Sequence, residues 1–111
     1  MTVAFTLDGV DFVGLNGGPI FKLSEAVSFL VDCETQAEID TLWEKLTADG
    51  GSEQPCGWLK DRFGVSWQIN SSKLVKMMID PDPARSKRVV DAMLKMKKID
   101  VARLEEAYGG A

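Results

Sequence analysis

The stretch that most constrains this chain is residues 56–69, in which two short apolar runs flank Asp61-Arg62-Phe63-Gly64. Gly64 supplies the positive φ that a tight reversal needs, and Asp61 can accept hydrogen bonds from amides inside the turn. The second run alternates, with Val65, Trp67 and Ile69 on one face and Ser66 and Gln68 on the other. The pattern predicts a β-hairpin. Because a buried amide without a partner is costly, the Ser66/Gln68 face is expected to line something polar or open.

The residues before this hairpin predict a strand and a helix, so that residues 26–69 have the order β-α-β-β-β. In the strand at 26–31, Val27, Phe29 and Val31 form the large apolar face, and Ala26, Ser28 and Leu30 form the other. Thr35-Gln36-Ala37-Glu38 is a capping box that starts a helix. Its apolar stripe follows the 3.6-residue period: Ile39, Leu42, Trp43 and Leu46. Trp43 is predicted to be structural, and a short strand is expected near residues 52–54.

The two ends of the chain predict a second hairpin and a helical tail. Residues 2–16 alternate around Asp8-Gly9, a strong two-residue turn signal. After Asn70 the pattern becomes helical, first over residues 73–79. Asp82 and Pro83 then restart a helix, and Asp100 caps the last one.

Composition excludes several functional classes. A single domain of 111 residues with a net charge of −4 and scattered basic residues is not expected to bind nucleic acid. No apolar run approaches the roughly 18 residues of a membrane span, and no signal peptide is found, so a cytoplasmic protein without membrane contact is predicted. The chain has no His, which excludes Ser-His-Asp and Cys-His catalysis within one chain and removes the commonest metal ligand. Cys33 and Cys56 are too far apart for a zinc ribbon.

A succession of short motifs resembles one known family over nearly the whole chain. The chain is similar to the PhnB-like family, also labelled the 3-demethylubiquinone-9 3-methyltransferase domain, of the vicinal oxygen chelate (glyoxalase/bleomycin resistance/dioxygenase) superfamily. The motifs are Leu7-Asp8-Gly9, Leu15-Asn16-Gly17-Gly18-Pro19, Glu25-Ala26-Val27-Ser28-Phe29, Cys33-Glu34-Thr35-Gln36, Trp43-Glu44-Lys45-Leu46, Cys56-Gly57-Trp58-Leu59-Lys60-Asp61, Val65-Ser66-Trp67-Gln68-Ile69 and the run at 91–100.

The resemblance implies an α+β fold in which two βαβββ modules curl around a shared cavity. Residues 1–111 are then one domain: a glyoxalase-like βαβββ module at 21–70, an N-terminal hairpin at 1–20 left from a shortened first module, and C-terminal helices at 71–111. A hairpin of this kind is marginal alone, so a homodimer is expected to supply what the short module lacks.

The resemblance also locates the superfamily's metal positions. Ala26 overlays the usual His position and Gln68 the usual Glu position, so two ligand positions are disabled and no metal or other cofactor is expected. The methyltransferase label is not supported, because the sequence has no Gly-rich strand-to-helix turn followed by an acidic residue.

Three functions remain open at this point. The first is a metal-independent binding module for a small aromatic or apolar molecule. Its predicted cavity residues are Ser28, Leu30, Trp58, Ser66 and Gln68. The second is a structural or interaction protein without activity. The third is a lyase, isomerase or dioxygenase of the superfamily type, which would depend on carboxylates such as Asp11 or Asp61.

Overall fold

A computed structural model describes residues 1–110, and it has the predicted α+β class. The strands are β1 (Thr2–Leu7), β2 (Val10–Leu15), β3 (Ser28–Cys33), β4 (Ser52–Glu53), β5 (Trp58–Lys60) and β6 (Ser66–Ser71). The α-helices are α1 (Gln36–Thr47), α2 (Ser72–Met78), α3 (Pro83–Leu94) and α4 (Val101–Gly109). None of the helices found among residues 1–110 is long and apolar enough to span a membrane.

The strands form two separate sheets. Among residues 1–110, β1 and β2 pair only with each other, whereas the other strands form a four-stranded sheet of order β3-β6-β5-β4. In this larger sheet β3 runs parallel to β6, and the other neighbouring pairs are antiparallel. Strand β3, helix α1 and strands β4 to β6 follow the predicted β-α-β-β-β order, with β3 on one edge of the sheet.

Strand β3 begins two residues later than predicted. The Ser24 hydroxyl accepts a hydrogen bond of 3.3 Å from the Ala26 amide, which holds the preceding residues in a turn. Val27 therefore lies outside the strand and is 70% exposed. The prediction that Val27 belongs to the face beneath the helix was wrong; Phe29, Val31 and Cys33 form that face instead.

Local hydrogen bonds explain where α1 begins and where the hairpin at residues 56–69 reverses direction. Thr35 Oγ1 accepts from the Glu38 amide at 3.2 Å, and the Glu38 carboxylate accepts in return from the Glu34 amide. In the hairpin, Asp61 Oδ1 accepts from the amides of Phe63 and Val65 at 2.9 and 3.0 Å. The Asp61 turn and the Thr35 cap are confirmed, and Glu38 reaches back as predicted but to the amide of Glu34, one residue before the N-cap.

One buried core joins the sheet, α1 and the helical tail. It contains Leu59 and Ile69 from the sheet, Ile39 and Trp43 from α1, and Leu74, Val89, Ile99 and Leu104 from the tail. The amides of Cys56 and Gly57 donate to the carbonyls of Met96 and Lys97, at 2.9 and 2.8 Å. A Cβ at Gly57 would lie only 3.0 Å from Ile99, so this close approach requires glycine. The tail thus packs on the same side of the sheet as α1.

The N-terminal hairpin extends away from this core. The molecule measures 54 × 27 × 25 Å, and its radius of gyration of 16.3 Å exceeds the roughly 13 Å of a compact chain of about 100 residues. Val3, Val13 and Leu15 on the hairpin are 59%, 68% and 74% exposed. Its Phe12 ring contacts Phe29 of β3 edge-on, with centroids 5.8 Å apart. The hairpin therefore presents apolar surface on both of its faces.

Candidate functional site

The strand register brings the five predicted cavity residues onto one face of the larger sheet. Ser28 pairs with Ser66 across β3 and β6, and Gln68 pairs with both Leu30 and Trp58. Residues paired in register point to the same side of a sheet. This side is opposite to α1, and we call it the open face. Whether a ligand binds there stays a prediction.

A polar pair lies near the middle of the open face. Gln68 Nε2 donates a hydrogen bond of 2.9 Å to Ser28 Oγ, linking β6 to β3. This bond leaves the Gln68 carbonyl oxygen as an acceptor and the Ser28 hydroxyl hydrogen as a donor. Leu30 is 61% exposed and the Trp58 side chain is half-buried beside them. The face therefore combines apolar area with a donor and an acceptor.

Ser66 differs from the other four residues because it is covered. It is only 1% exposed, and its hydroxyl has no hydrogen-bond partner among residues 1–110. The segment at 22–27 lies close by and is tied to the sheet by an ion pair between Glu25 and Lys60. The Lys60 hydrogen bond lowers the pKa of Glu25. A pocket of about 260 Å³ lies between this segment and Ser66, and its lining includes Lys22, Leu23, Ser24, Val27, Phe29 and Val65.

A second concavity separates the N-terminal hairpin from the edge of β3. This cleft has a volume of about 650 Å³, and its walls include Leu7, Asp8, Val10, Phe12, Phe29, Leu30, Val31, Asp32 and Trp67. Three of its rings form a chain, with centroid distances of 5.8 Å from Phe12 to Phe29 and 5.3 Å from Phe29 to Trp67. Sequence reasoning did not predict this cleft. The alternation of Phe5, Leu7 and Phe12 around the Asp8-Gly9 turn was the one available signal.

The residues present do not fit the metal centre that the superfamily implies. Ala26 has no ligating side chain and lies outside β3, and Gln68 offers only a neutral carbonyl oxygen, which is a weak ligand for a divalent ion. Within the described part of the chain, no three His, Cys, Asp or Glu side chains are grouped so that they could hold a metal ion. A divalent ion needs several anionic or imidazole ligands, and residues 1–110 do not bring such a set together.

A four-stranded sheet with one helix-packed face and one open face, in β-α-β-β-β order, defines a glyoxalase-like α+β module. The sequence profile of the 3-demethylubiquinone-9 3-methyltransferase family matches residues 1–70. The chain therefore belongs to this PhnB-like family. The match ends before the helical tail, so it is narrower than the predicted resemblance, which included residues 91–100.

Several solved structures are similar to this chain, among them those of two bacterial proteins. One is the PhnB protein of Bacillus cereus, provisionally assigned as a 3-demethylubiquinone-9 3-methyltransferase, with 33% identity and a TM-score of 0.59 over 65% of this chain and 64% of that one. The other is protein PA1353 of Pseudomonas aeruginosa, with a TM-score of 0.51 and 23% identity over 64% of this chain and 62% of that one, a likeness that concerns the fold alone. A search of curated proteins gave no match. The chain thus spans less than two thirds of either solved structure.

Proposed function

We propose that this chain is a metal-independent module that binds a small molecule on the open face of its larger sheet. The observation that carries the proposal is the register that aligns Ser28, Leu30, Trp58, Ser66 and Gln68 on that face. A binding site commonly combines apolar walls with a few convergent polar groups. The residues of the open face have this composition.

The ligand that suits this face is a small aromatic or apolar molecule with one polar edge. The Trp58 ring offers a flat surface for stacking, and Leu30 adds exposed apolar area. The Ser28 hydroxyl hydrogen, the second Gln68 amide hydrogen and the Gln68 carbonyl oxygen remain available, and they would fix the orientation of a carbonyl or hydroxyl group. No covalent step is required, and no cofactor is part of the proposal.

The working unit that we propose is a cytoplasmic homodimer in which each copy covers the open face of the other. In this proposal residues 1–20 are a hairpin that belongs to a first module, residues 21–70 the complete module and residues 71–111 the helical tail. The exposed apolar residues of the hairpin support this arrangement, because an isolated two-stranded hairpin is marginal in water. A twofold axis would let each hairpin contact the other copy.

A structural or interaction protein without a ligand is the second candidate, and the exposed hairpin favours it as much as it favours a dimer. Catalysis has less support. Asp61 bonds to two turn amides and also accepts from Trp67 Nε1 at 3.0 Å, so its carboxylate already has a structural role. Methyl transfer, which the family label names, has no supporting residues here.

A thermal-shift screen of small aromatic compounds, followed by calorimetric titration of each hit, tests this function. Leu30→Ala is expected to weaken binding about tenfold or less, the usual effect of removing one apolar contact of about 1 kcal/mol. Leu94→Ala is the matched control, because Leu30 and Leu94 are 61% and 59% exposed and Leu94 lies on α3. If no aromatic compound shifts the melting temperature, the interaction protein becomes the better hypothesis.

A further inference from the structure

The Ser66 hydroxyl is a buried polar group without a partner. Ser66 is 1% exposed, and its Oγ makes no hydrogen bond to any of residues 1–110. Most buried side-chain hydroxyls in folded proteins are hydrogen-bonded, because an unpaired one loses its contacts with water and gains nothing in return. Such a group calls for an explanation, and the capacity to bond to a ligand is one.

Ser71 shows that the same strand can satisfy a buried serine. Ser71 is also 1% exposed and lies at the other end of β6. Its Oγ accepts a hydrogen bond of 3.2 Å from the Lys73 amide and so caps α2. The two serines are equal in burial and differ in hydrogen bonding.

The pocket beside Ser66 has a positive rim and apolar walls. Lys22 lines it and forms no ion pair within residues 1–110, whereas the neighbouring acid, Glu25, is paired with Lys60. Val27 and Phe29 supply apolar surface. The volume of about 260 Å³ is close to the lower end of the roughly 300–1,000 Å³ found for ligand pockets. The pocket therefore suits a small ligand with an anionic group.

We propose that this pocket binds a small organic carboxylate. The carboxylate pairs with the Lys22 ammonium and accepts a hydrogen bond from Ser66 Oγ, while its apolar body lies against Val27 and Phe29. Ser66 Oγ is covered in the free protein, so the proposal includes a rotation about χ1 of Ser66, which moves no backbone atom, when the carboxylate binds. The pocket shares Ser66 with the open face but none of the other four residues of that face, so this inference adds a second site to the one in the proposed function.

The test titrates the full chain with benzoate and, separately, with uncharged benzamide. Benzoate is expected to bind saturably and more tightly than benzamide, because only benzoate pairs with an ammonium group. Ser66→Ala is expected to weaken benzoate binding at least about tenfold, as befits a hydrogen bond to a charged group. The melting temperature of the free Ser66→Ala protein should stay the same or rise, because the variant removes an unpaired hydroxyl.

Ser71→Ala is the control, and its expected effects on melting temperature and benzoate affinity are the opposite of those of Ser66→Ala. It should lower the melting temperature, because it removes a helix cap, and leave the benzoate affinity unchanged. Lys22→Gln, at an exposed site, should abolish the preference for benzoate over benzamide without affecting folding. Equal benzoate affinity in wild type and Ser66→Ala, or no saturable binding of benzoate at all, would overturn the carboxylate site. Binding of neutral aromatic ligands that depends on Leu30 would then still support the proposed function. A failure of the carboxylate site can therefore be distinguished from a failure of the proposed function.

Discussion

Trp43 Nε1 donates a hydrogen bond of 2.7 Å to Glu53 Oε1, and this contact joins helix α1 to strand β4. Trp43 is 4% exposed, so the prediction that it is structural is confirmed. Strand β4 contains only Ser52 and Glu53 and pairs with β5 alone. The Trp43 indole therefore attaches the edge strand β4 to helix α1, which covers one face of the sheet.

Replacing Trp43 by Ala is expected to lower the free energy of unfolding by about 3–5 kcal/mol, because a large buried ring is lost and a cavity remains. Urea denaturation followed by circular dichroism measures this change. Trp43→Phe is the informative control, since it keeps most of the apolar volume and removes only the bond to Glu53. A Trp43→Ala protein that melts within a degree or two of wild type would show that α1 does not pack on the sheet as described.

The contact between Tyr108 and Asp80 should make stability depend on acid pH. The Tyr108 hydroxyl donates to the Asp80 carboxylate, and this hydrogen bond is the main cause that lowers the pKa of Asp80. A carboxyl whose pKa is lower in the folded state stabilises the fold above its unfolded pKa of about 4, and this contribution is lost as pH falls through the folded value.

Tyr108→Phe is therefore expected to lower the melting temperature at pH 7 and to lower it less at pH 3. Thermal unfolding of both proteins across that pH range measures the difference. A gap between wild type and Tyr108→Phe that stays constant down to pH 3 would contradict a role for the Asp80 charge.

Cys33 should resist alkylation in the native protein. Burial raises the pKa of its thiol, and the charges of Glu38 and Asp32 raise it further, so little thiolate forms. Cys56 is only half-buried. Iodoacetamide at pH 8, followed by peptide mass spectrometry, is expected to modify Cys56 first and Cys33 only after denaturation. Native labelling of Cys33 at the rate of Cys56 would contradict this expectation.

Purified protein is expected to hold no stoichiometric divalent metal. The chain has no His, and the resemblance predicts Ala26 and Gln68 at the positions where superfamily members would hold metal ligands. Elemental analysis after mild purification and dialysis is the measurement. One equivalent of zinc, manganese, iron or nickel retained per chain would refute metal independence.

Light scattering at micromolar concentration should give twice the chain mass of 12.2 kDa. Deleting residues 1–20 is expected to convert the dimer to a monomer, because the exposed apolar hairpin is the proposed contact. A wild-type mass near one chain would end the dimer proposal. A dimer that survives the deletion would place the interface elsewhere on the molecule.

Local interactions are what sequence reasoning could predict with accuracy. Asp61 organises its turn through amides two and four residues away, and Thr35 caps α1 through an amide three residues away. Asp82 and Asp100 start α3 and α4 in the same way. Each of these signals lies within a few residues, so the sequence by itself determined where these elements begin and turn, and hence the β-α-β-β-β order.

Only the tertiary structure decided which residues meet and which stay covered. Gln68 bonds to Ser28, 40 positions away, because β3 pairs in parallel with β6. That register depends on the packing of both strands under α1, which no local pattern encodes. The burial of Ser66 and the exposure of Val27 depend on the path of residues 22–27, a segment that contains the Ser24–Ala26 hydrogen bond and the ion pair from Glu25 to Lys60. The alternation of apolar and polar residues assigns each residue to one side of a strand. Whether that residue is accessible to a ligand depends on which other segment of the chain packs over that side.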